Sequence, residues 1–329
     1  MSEGLERLGE LKVFAGRNSK LLAQRVCDHI GMPLGDAKTH IFPDGEILVK
    51  MDEDVRGRDC FVILSTCQPV NDNLMELLIF VDCLRRASAR RVTLVLPYYG
   101  YARQDRKSEG RVPITAKLVA NMMTASRADR VLAVDLHAAQ IQGFFDLPVD
   151  HLSATPCFFD YFESVREELG EFCFVSPDVG NLKVAEGMAN LLGVDTAVIT
   201  KRRTSGTEIE VGHLMGSVEG KTVLMFDDMI STGGTVIQAA NFVMSQGARE
   251  VIVAATHPVL AGPAAERLAT GPVSRVVVTD TIPIPDEKRS MLADKLVEIS
   301  VGPLLGEAIR NIHEDRSISA LFKKVAMRR

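Results

Sequence analysis

The segment Lys221-Thr-Val-Leu-Met-Phe-Asp-Asp-Met-Ile-Ser-Thr-Gly-Gly-Thr-Val236 joins an apolar run to two carboxylates and to a turn rich in glycine and hydroxyl groups. The apolar run, Thr222 to Phe226, is typical of a buried parallel strand, and the apolar spacing from Thr235 to Gln246 predicts a helix after the turn. The turn therefore lies at the carboxyl end of a strand, which is where open α/β sheets bind their ligands.

The turn has the chemistry of an anion site. A Ser/Thr/Gly turn that opens a helix points backbone N–H groups and hydroxyls at an anion, most often a phosphate. Asp227 and Asp228 would repel a phosphate directly, so we expect them to accept hydrogen bonds from sugar hydroxyls or to hold Mg²⁺. A turn that only caps the helix, with both acids in solvent, is the simpler alternative, although capping needs fewer such residues.

Length and composition restrict the class of protein. A chain of 329 residues favours two domains, and 46% hydrophobic with 25% charged residues is typical of a globular enzyme. The net charge of -5 gives no general attraction to nucleic acid. The first residues do not resemble a signal peptide, and the most apolar stretch, Leu74 to Leu84, is too short to span a bilayer. The six cysteines form no Cys-x-x-Cys pair. We therefore expect a cytoplasmic protein with no nucleic-acid or membrane partner.

Strand and helix patterns alternate along the chain. Strands are predicted at Leu11 to Ala15, Cys60 to Ser65, Arg91 to Leu96, Arg130 to Val134, Phe172 to Val175, Thr196 to Thr200, Thr222 to Phe226, Val251 to Ala255 and Arg275 to Val278. Helices are predicted at Ser19 to Ile30, Asn71 to Ala87, Ile114 to Ser126, Leu182 to Leu192 and Thr235 to Gln246, with a hairpin from His40 to Lys50. This order predicts two α/β domains, 1–150 and 151–329, with mostly parallel sheets flanked by helices.

Further polar segments follow other predicted strands. The loop Tyr101-Ala-Arg-Gln-Asp105 combines aromatic rings with arginine, whose fork geometry suits phosphates. Asp135-Leu-His137 and Ser176-Pro-Asp178 each end a strand and could share a Mg²⁺ site, although histidine is an unusual ligand for so hard an ion. Lys201-Arg-Arg203 begins a Ser/Gly loop after the strand Thr196 to Thr200, and on such a loop it could close over a phosphate chain and stabilise charge that develops in a transition state. A solvated basic surface is the alternative for both basic segments, and a structural role is the alternative for His137.

Several longer motifs occur together with these segments. They are Phe42-Pro-Asp-Gly-Glu46, Asn71-Asp-Asn-Leu-Met-Glu-Leu-Leu78, Tyr101-Ala-Arg-Gln-Asp105, Pro113-Ile-Thr-Ala-Lys-Leu-Val-Ala-Asn121, Asp135-Leu-His-Ala-Ala-Gln-Ile-Gln-Gly-Phe-Phe-Asp146, Ser176-Pro-Asp178 and Lys201-Arg-Arg203. In this order, and with a phosphoribosyl-pyrophosphate motif at Lys221 to Val236, they resemble the ribose-phosphate pyrophosphokinase family. The resemblance extends over Leu11 to Phe322.

The resemblance implies an activity and an arrangement of domains. Members of the family transfer the pyrophosphoryl group of Mg-ATP to the 1-hydroxyl of ribose 5-phosphate, giving phosphoribosyl pyrophosphate and AMP. It implies two phosphoribosyltransferase-type domains, with ATP on the side of residues 1–150 and ribose 5-phosphate on the side of 151–329, and with the last ~25 residues packing back on the first domain. It also implies self-association, as dimers that assemble to a hexamer.

The resemblance also implies roles for single residues. The ATP contacts fall on Phe42, Asp44, Gly45, Glu46, Arg103 and Gln104. The Mg²⁺ contacts fall on His137 and Asp178, and the catalytic cations are Lys201 and Arg203. The ribose 5-phosphate contacts fall on Arg203, Asp227, Asp228, Ser231, Thr232, Gly233, Gly234 and Thr235. Where many relatives have Asp, this chain has Ser231, which removes one negative charge from the turn.

Two alternatives remain open at this point. A non-catalytic regulatory homologue that associates with active subunits would share the fold, but here Lys201, Arg203, His137 and Asp178 are all present, which favours the enzyme. A phosphoribosyltransferase would explain Lys221 to Val236 but not the doubled architecture.

Overall fold

A computed structural model of the protein describes residues 10–177, 182–205, 208–319 and 321, and for residues 201–205 and 208–212 it describes the backbone only. Contacts divide these residues into two compact units. Unit 1 consists of the residues up to Ala154 together with Val301 to Leu321, and unit 2 consists of Thr155–Ser300. Both units contain a parallel sheet with helices, so the predicted α/β class is confirmed.

Unit 1 alternates strands and helices from its first described residues. Its elements are β1 (Leu11–Ala15), α1 (Lys20–Ile30), β2 (Ala37–Ile41), β3 (Ile47–Met51), β4 (Asp59–Ile63), α2 (Val70–Arg86), β5 (Arg91–Leu96), α3 (Thr115–Ala125), β6 (Arg130–Val134) and β7 (Val149–Leu152). The main sheet has the strand order β1-β4-β5-β6-β7, and every pair in it is parallel. Strands β2 and β3 form a separate antiparallel hairpin, as the sequence predicts.

The apolar spacing of unit 1 explains its packing. All five residues of β4 are buried, as expected for a parallel strand with a helix on each face. Helix α2 buries Leu77, Phe80 and Leu84 along one stripe, which is the helical spacing that predicts it. Full burial of each such side chain stabilises the fold by about 1.5–3 kcal/mol.

Unit 2 begins with the helical segment after β7. Its elements are α4 (Thr155–Ser164), α5 (Arg166–Leu169), β8 (Phe172–Ser176), α6 (Leu182–Leu192), β9 (Thr196–Ser205), β10 (Glu208–Met215), β11 (Thr222–Met229), α7 (Gly234–Ser245), β12 (Glu250–His257), α8 (Ala264–Thr270), β13 (Arg275–Thr279), α9 (Asp286–Leu292) and β14 (Leu296–Ile299). The sheet order is β10-β9-β8-β11-β12-β13-β14. Strand β11 lies in the middle of this sheet, between β8 and β12 and parallel to both.

The last described helix, α10 (Gly302–His313), belongs to unit 1 and packs on α1. The guanidinium of Arg310 donates to the carbonyl of Ile30 at 3.0 Å, which satisfies a backbone acceptor at the end of α1. At Gly306 an added Cβ would lie 2.9 Å from the ring of His29, so the two helices approach closely. At the other end, His313 Nδ1 lies 2.8 Å from a carboxylate oxygen of Asp59, which is fully buried.

One sequence prediction about the backbone is wrong. The sequence predicts that a strand ends at Thr200 and that Lys201 to Arg203 begin a loop, whereas β9 continues to Ser205. The reason is pairing, because β10 lies antiparallel against β9 and its backbone continues the ladder beyond Thr200. Strands β7, β10 and β14 are not predicted from the sequence, and all three lie at a sheet edge. Within the described residues, no helix has both the length and the apolar character needed to cross a bilayer.

Candidate active site

The turn after β11 has the conformation that its glycines predict. Strand β11 extends to Met229, and Gly233, with φ 73°, takes the left-handed conformation just before α7 begins. Glycine adopts this conformation without steric cost, whereas other residues do not. The N–H groups in the first turn of α7 have no acceptor within the helix, so this end of α7 can bind an anion.

Three successive carbonyls of the turn accept hydrogen bonds from the next strand-helix connection. The carbonyl of Ile230 accepts from the N–H of Leu260 at 2.9 Å, and that of Ser231 accepts from the N–H of Ala261 at 2.9 Å. The carbonyl of Thr232 accepts from Nη1 of Arg267 at 2.9 Å. The turn is therefore held along its carbonyl side by the segment that follows β12.

The two predicted acids lie where β11 ends. Asp227 and Asp228 are both half-buried, and an oxygen of Asp227 accepts the N–H of Asp228 at 2.9 Å. Asp227 is still in register with Ala255 of β12, so its carboxylate is carried by the sheet itself. The structure thus brings Asp227, Asp228 and the predicted turn residues Ser231, Thr232, Gly233, Gly234 and Thr235 into one short stretch of unit 2.

In unit 1, the first group of predicted ATP contacts forms the turn between β2 and β3. Gly45 has φ 92° and donates its N–H to the carbonyl of Phe42 at 2.9 Å, while the N–H of Phe42 donates to the carbonyl of Glu46 at 2.8 Å. A carboxylate oxygen of Asp44 accepts the N–H of Glu46 at 3.1 Å. The ring of Phe42 is 39% exposed and meets the ring of His40 edge-on at 5.0 Å. The ring of Phe42 is therefore partly exposed on a turn whose backbone is held by hydrogen bonds.

The second group of predicted ATP contacts lines a cavity of about 450 Å³ after β5. The lining consists of Val70, Tyr98, Tyr101, Ala102, Arg103 and Gln104. Gln104 is held by Thr115, whose hydroxyl donates to the side-chain oxygen at 2.5 Å, and by a bond from the N–H of Ala116 to its carbonyl at 3.2 Å. The turn at Phe42 to Glu46 is not part of this lining.

A buried tyrosine joins this loop to helix α3. The hydroxyl of Tyr99 donates to the carbonyl of Ala116 at 2.7 Å, and burial raises the pKa of this phenol well above its usual range. Tyr99 is thus a neutral structural group rather than a base.

His137 lies on an exposed loop after β6 whose backbone is fixed by β7. Asp135, with φ 37°, donates its N–H to the carbonyl of Leu152 at 2.9 Å, and its carboxylate accepts the N–H of Ala154 at 3.0 Å. The N–H of Leu136 donates to Nε2 of His151 at 2.9 Å. The side-chain amide nitrogen of Gln142 lies 3.2 Å from Nδ1 of the same ring.

Sequence reasoning missed His151 and Arg267. His151 is a single histidine in a short edge strand, and Arg267 lies 35 residues beyond its partner Thr232. No spacing or motif in the sequence indicates either contact.

Three predicted residues lie outside what the structure describes. Asp178 is one of them, and so are the side chains of Lys201 and Arg203, for which only the backbone in β9 is described. Among the remaining described residues, no group of three or more His, Cys, Asp or Glu side chains could hold a metal ion.

Comparisons with known proteins match the whole architecture. A family model for the N-terminal domain of ribose phosphate pyrophosphokinase matches residues 11–126, and a model for the phosphoribosyl synthetase-associated domain matches residues 183–323. The ribose-phosphate pyrophosphokinase of Rhodopirellula baltica is 55% identical over 316 residues, which cover 96% of this chain and 99% of that protein. The chain belongs to the ribose-phosphate pyrophosphokinase family.

Further relatives agree with this assignment. The ribose-phosphate pyrophosphokinase of Caldanaerobacter subterraneus is 50% identical and covers 95% of this chain and 98% of its own. The crystal structure of phosphoribosylpyrophosphate synthetase from Mycobacterium smegmatis has a TM-score of 0.85 at 44% identity, covering 93% of this chain and 99% of that one. The family, the fold class and the enzyme class predicted from the sequence are confirmed.

Proposed function

We propose that this protein is a ribose-phosphate diphosphokinase, which transfers the pyrophosphoryl group of Mg-ATP to the 1-hydroxyl of ribose 5-phosphate. The observation that carries the proposal is the turn after β11, where two half-buried carboxylates are followed by Gly233 in the left-handed conformation and by the N-terminus of α7. Such a turn suits a ligand that has a phosphate at one end and hydroxyls at the other. The family assignment supports the same reaction.

The turn and the acids bind different parts of ribose 5-phosphate. The N–H groups and hydroxyls of Ser231 to Thr235 bind the 5-phosphate. Asp227 and Asp228 lie before the turn, where they accept hydrogen bonds from ribose hydroxyls, directly or through Mg²⁺. Unit 2 is accordingly the ribose 5-phosphate side of the enzyme.

Unit 1 is the ATP side. The exposed ring of Phe42 with Asp44, Gly45 and Glu46 contacts the adenine end, and the cavity at Arg103 and Gln104 accepts another part of the nucleotide. Arginine binds phosphate oxygens through two parallel N–H groups, which favours Arg103 as a phosphate contact.

The reaction needs positioning and charge neutralisation more than proton transfer. The 1-hydroxyl oxygen forms a bond to the β-phosphorus of ATP, the bond from that phosphorus to the α–β bridging oxygen breaks, AMP leaves, and the hydroxyl proton passes to solvent. Mg²⁺, when bound with the nucleotide, neutralises charge on the phosphates, and by family likeness His137 and Asp178 are its protein contacts. Lys201 and Arg203 stabilise the charge that develops on the transferring group. We assign no general base.

We further propose that the protein is cytoplasmic and self-associates as dimers that form a hexamer, in both cases by likeness to its family. Mass measurement in solution by light scattering tests the oligomer.

The activity is tested by incubating the purified protein with Mg-ATP and ribose 5-phosphate and following both products by anion-exchange chromatography. AMP and phosphoribosyl pyrophosphate must appear in equal amounts, and ribose without the 5-phosphate must not replace the substrate. If ADP forms instead of AMP, the transfer is of a single phosphoryl group and the proposal is wrong. If no product forms across a range of phosphate and divalent metal concentrations, the chain is a regulatory homologue.

A further inference from the structure

The turn after β11, Ile230 to Thr235, is called the phosphate turn below, and within the contacts that the structure describes three groups donate to its carbonyls. Arg267 is the only side chain among these three donors. The other two donors, Leu260 and Ala261, act through their backbone N–H groups. Arg267 lies on α8, its side chain is exposed, and its Nη1 donates to the carbonyl of Thr232 at 2.9 Å. Arg267 can therefore be changed without altering the backbone path that supplies the other two bonds.

The position of the guanidinium places it beside the start of α7. A Cβ added to Gly234 would lie 3.5 Å from Nη1 of Arg267, so the guanidinium packs against the bare Cα of this glycine. Gly233 packs in the same way against Ala264, at 3.6 Å from an added Cβ. The two glycines thus allow α8 to lie along the turn from Gly233 to Gly234.

Fixing the carbonyls of the turn also fixes its N–H groups. In a planar trans peptide the C=O and the N–H of the next residue point in opposite directions. A carbonyl of Thr232 that faces Arg267 therefore turns the N–H of Gly233 to the opposite side. The carbonyls of Ile230 and Ser231 orient the N–H groups of Ser231 and Thr232 in the same manner. Successive N–H groups on one side of a turn are the geometry that binds a phosphate.

The peptide between Thr232 and Gly233 is the one that most needs such a constraint. Glycine populates positive and negative φ about equally, so a peptide that precedes Gly233 rotates more easily than one between larger residues. Its carbonyl is bound by a charged donor, and a hydrogen bond from a charged group is stronger than one between neutral groups.

We propose that Arg267 is a positioning residue for substrate binding, which holds the Thr232–Gly233 peptide with its N–H toward the 5-phosphate of ribose 5-phosphate. This inference rests on the proposed function of the turn. Arg267 acts through the backbone of the turn, so its loss weakens binding of ribose 5-phosphate and leaves ATP binding and the chemical step unchanged.

The test compares Arg267→Ala and Arg267→Lys with Arg86→Ala. Arg86 is an exposed arginine on α2 whose guanidinium pairs with Asp82, so it controls for the loss of a surface arginine. Arg267→Ala is expected to raise KM for ribose 5-phosphate about tenfold or more, which corresponds to about 1.4 kcal/mol, with kcat and KM for ATP within twofold of the parent. Arg267→Lys should recover part of the loss, because an ammonium can donate to the same carbonyl.

Titration calorimetry of ribose 5-phosphate without ATP separates this inference from the proposed function. If the unmodified enzyme does not bind ribose 5-phosphate, the proposed function of the turn fails. If the unmodified enzyme binds it and Arg267→Ala binds it equally well, the role of Arg267 is refuted while the function stands. A rise of KM for both substrates would show a general effect on folding and would refute the role. Equal KM values for ribose 5-phosphate in the Lys and Ala variants would also refute it.

Discussion

Replacing Gly233 by alanine tests the phosphate turn with the smallest possible change. Gly233 has φ 73°, and a Cβ added there would have its nearest neighbour at 3.6 Å, on Ala264, which is an ordinary contact. The substitution therefore creates no collision, and its whole effect comes from the backbone conformation. Gly220 is a matched control in the same unit, with φ 71° and nothing within 4 Å of an added Cβ.

The expected loss of unfolding free energy follows from the cost of the left-handed conformation. A left-handed conformation costs an L-residue about 1–2 kcal/mol, and the lower entropy of the unfolded alanine chain returns about 0.4–1 kcal/mol. Both variants should thus lose roughly 1 kcal/mol of unfolding free energy, which lowers Tm by about 2–4 °C in a domain of 150–250 residues.

The two variants should differ in substrate binding. A turn that rotates to relieve the strain in Gly233→Ala moves its N–H groups away from the phosphate, so KM for ribose 5-phosphate should rise about 5- to 30-fold, equivalent to about 1–2 kcal/mol. Gly220→Ala should leave KM unchanged. The measurement is steady-state AMP formation at saturating Mg-ATP, together with a thermal melt of each variant. An unchanged KM for Gly233→Ala beside an equal loss of Tm in both variants would contradict the assignment of this turn to ribose 5-phosphate.

Three further predictions concern two residues of the proposed site and the buried cysteines of unit 1. Lys201→Ala should lower kcat by at least about 100-fold while calorimetry shows ribose 5-phosphate binding within a few-fold, because a charge needed in the transition state contributes little to ground-state binding; unchanged turnover refutes the role. Ser231→Asp adds a carboxylate beside Asp227 and Asp228 and should lower the Mg²⁺ concentration that gives half-maximal rate, and a higher Mg²⁺ requirement would contradict this. Burial raises the pKa of the thiols of Cys27 and Cys67 to about 11 and, with Asp59 adding to the effect, that of Cys60 to about 12. Since each folded-state pKa lies above the unfolded value near 9, stability should be complete below about pH 9 and fall as pH rises toward 11, and iodoacetamide at pH 8 should label these thiols only after unfolding; rapid labelling of the folded enzyme would contradict their burial.

The sequence predicts the centre of each sheet better than its edges. The apolar residues of β11, Val223 to Phe226, predict a buried strand, and the glycine and hydroxyl residues after it predict the turn, although the strand itself continues through Asp227 and Asp228 to Met229. β10 was missed because the Ser/Gly segment before it indicates a loop, although Ile209 and Val211 alternate with Glu208 and Glu210 in the way of a half-exposed strand. Edge strands carry little apolar periodicity, and their existence depends on pairing with a strand elsewhere in the chain.

The candidate site likewise contains residues that local sequence identifies and residues that it does not. Local sequence identifies candidate ligand contacts whose own chemistry suits a ligand, such as the carboxylate of Asp227 or the hydroxyl of Thr232. It does not identify groups that act through another residue's backbone, because these contacts join separate strand-helix connections. Arg267 reaches Thr232 across 35 residues, and His151 reaches Leu136 across 15. Each of these contacts depends on strands that are adjacent in the sheet, and adjacency is a property of the topology rather than of spacing.

The phosphate turn is therefore a product of two connections rather than one. In a parallel sheet the loops after neighbouring strands lie at the same edge, so the connection after β12 lies beside the turn after β11. That connection donates hydrogen bonds to the carbonyls of Ile230, Ser231 and Thr232, and the planarity of the peptide then turns the following N–H groups to the opposite side of the turn. The residues Ser231 to Thr235, placed on a strand without such a neighbour, would keep their hydroxyls and glycines but lose the fixed orientation of their N–H groups. The motif specifies which groups have the chemistry to bind a phosphate, and the neighbouring connection orients their N–H groups to one side of the turn.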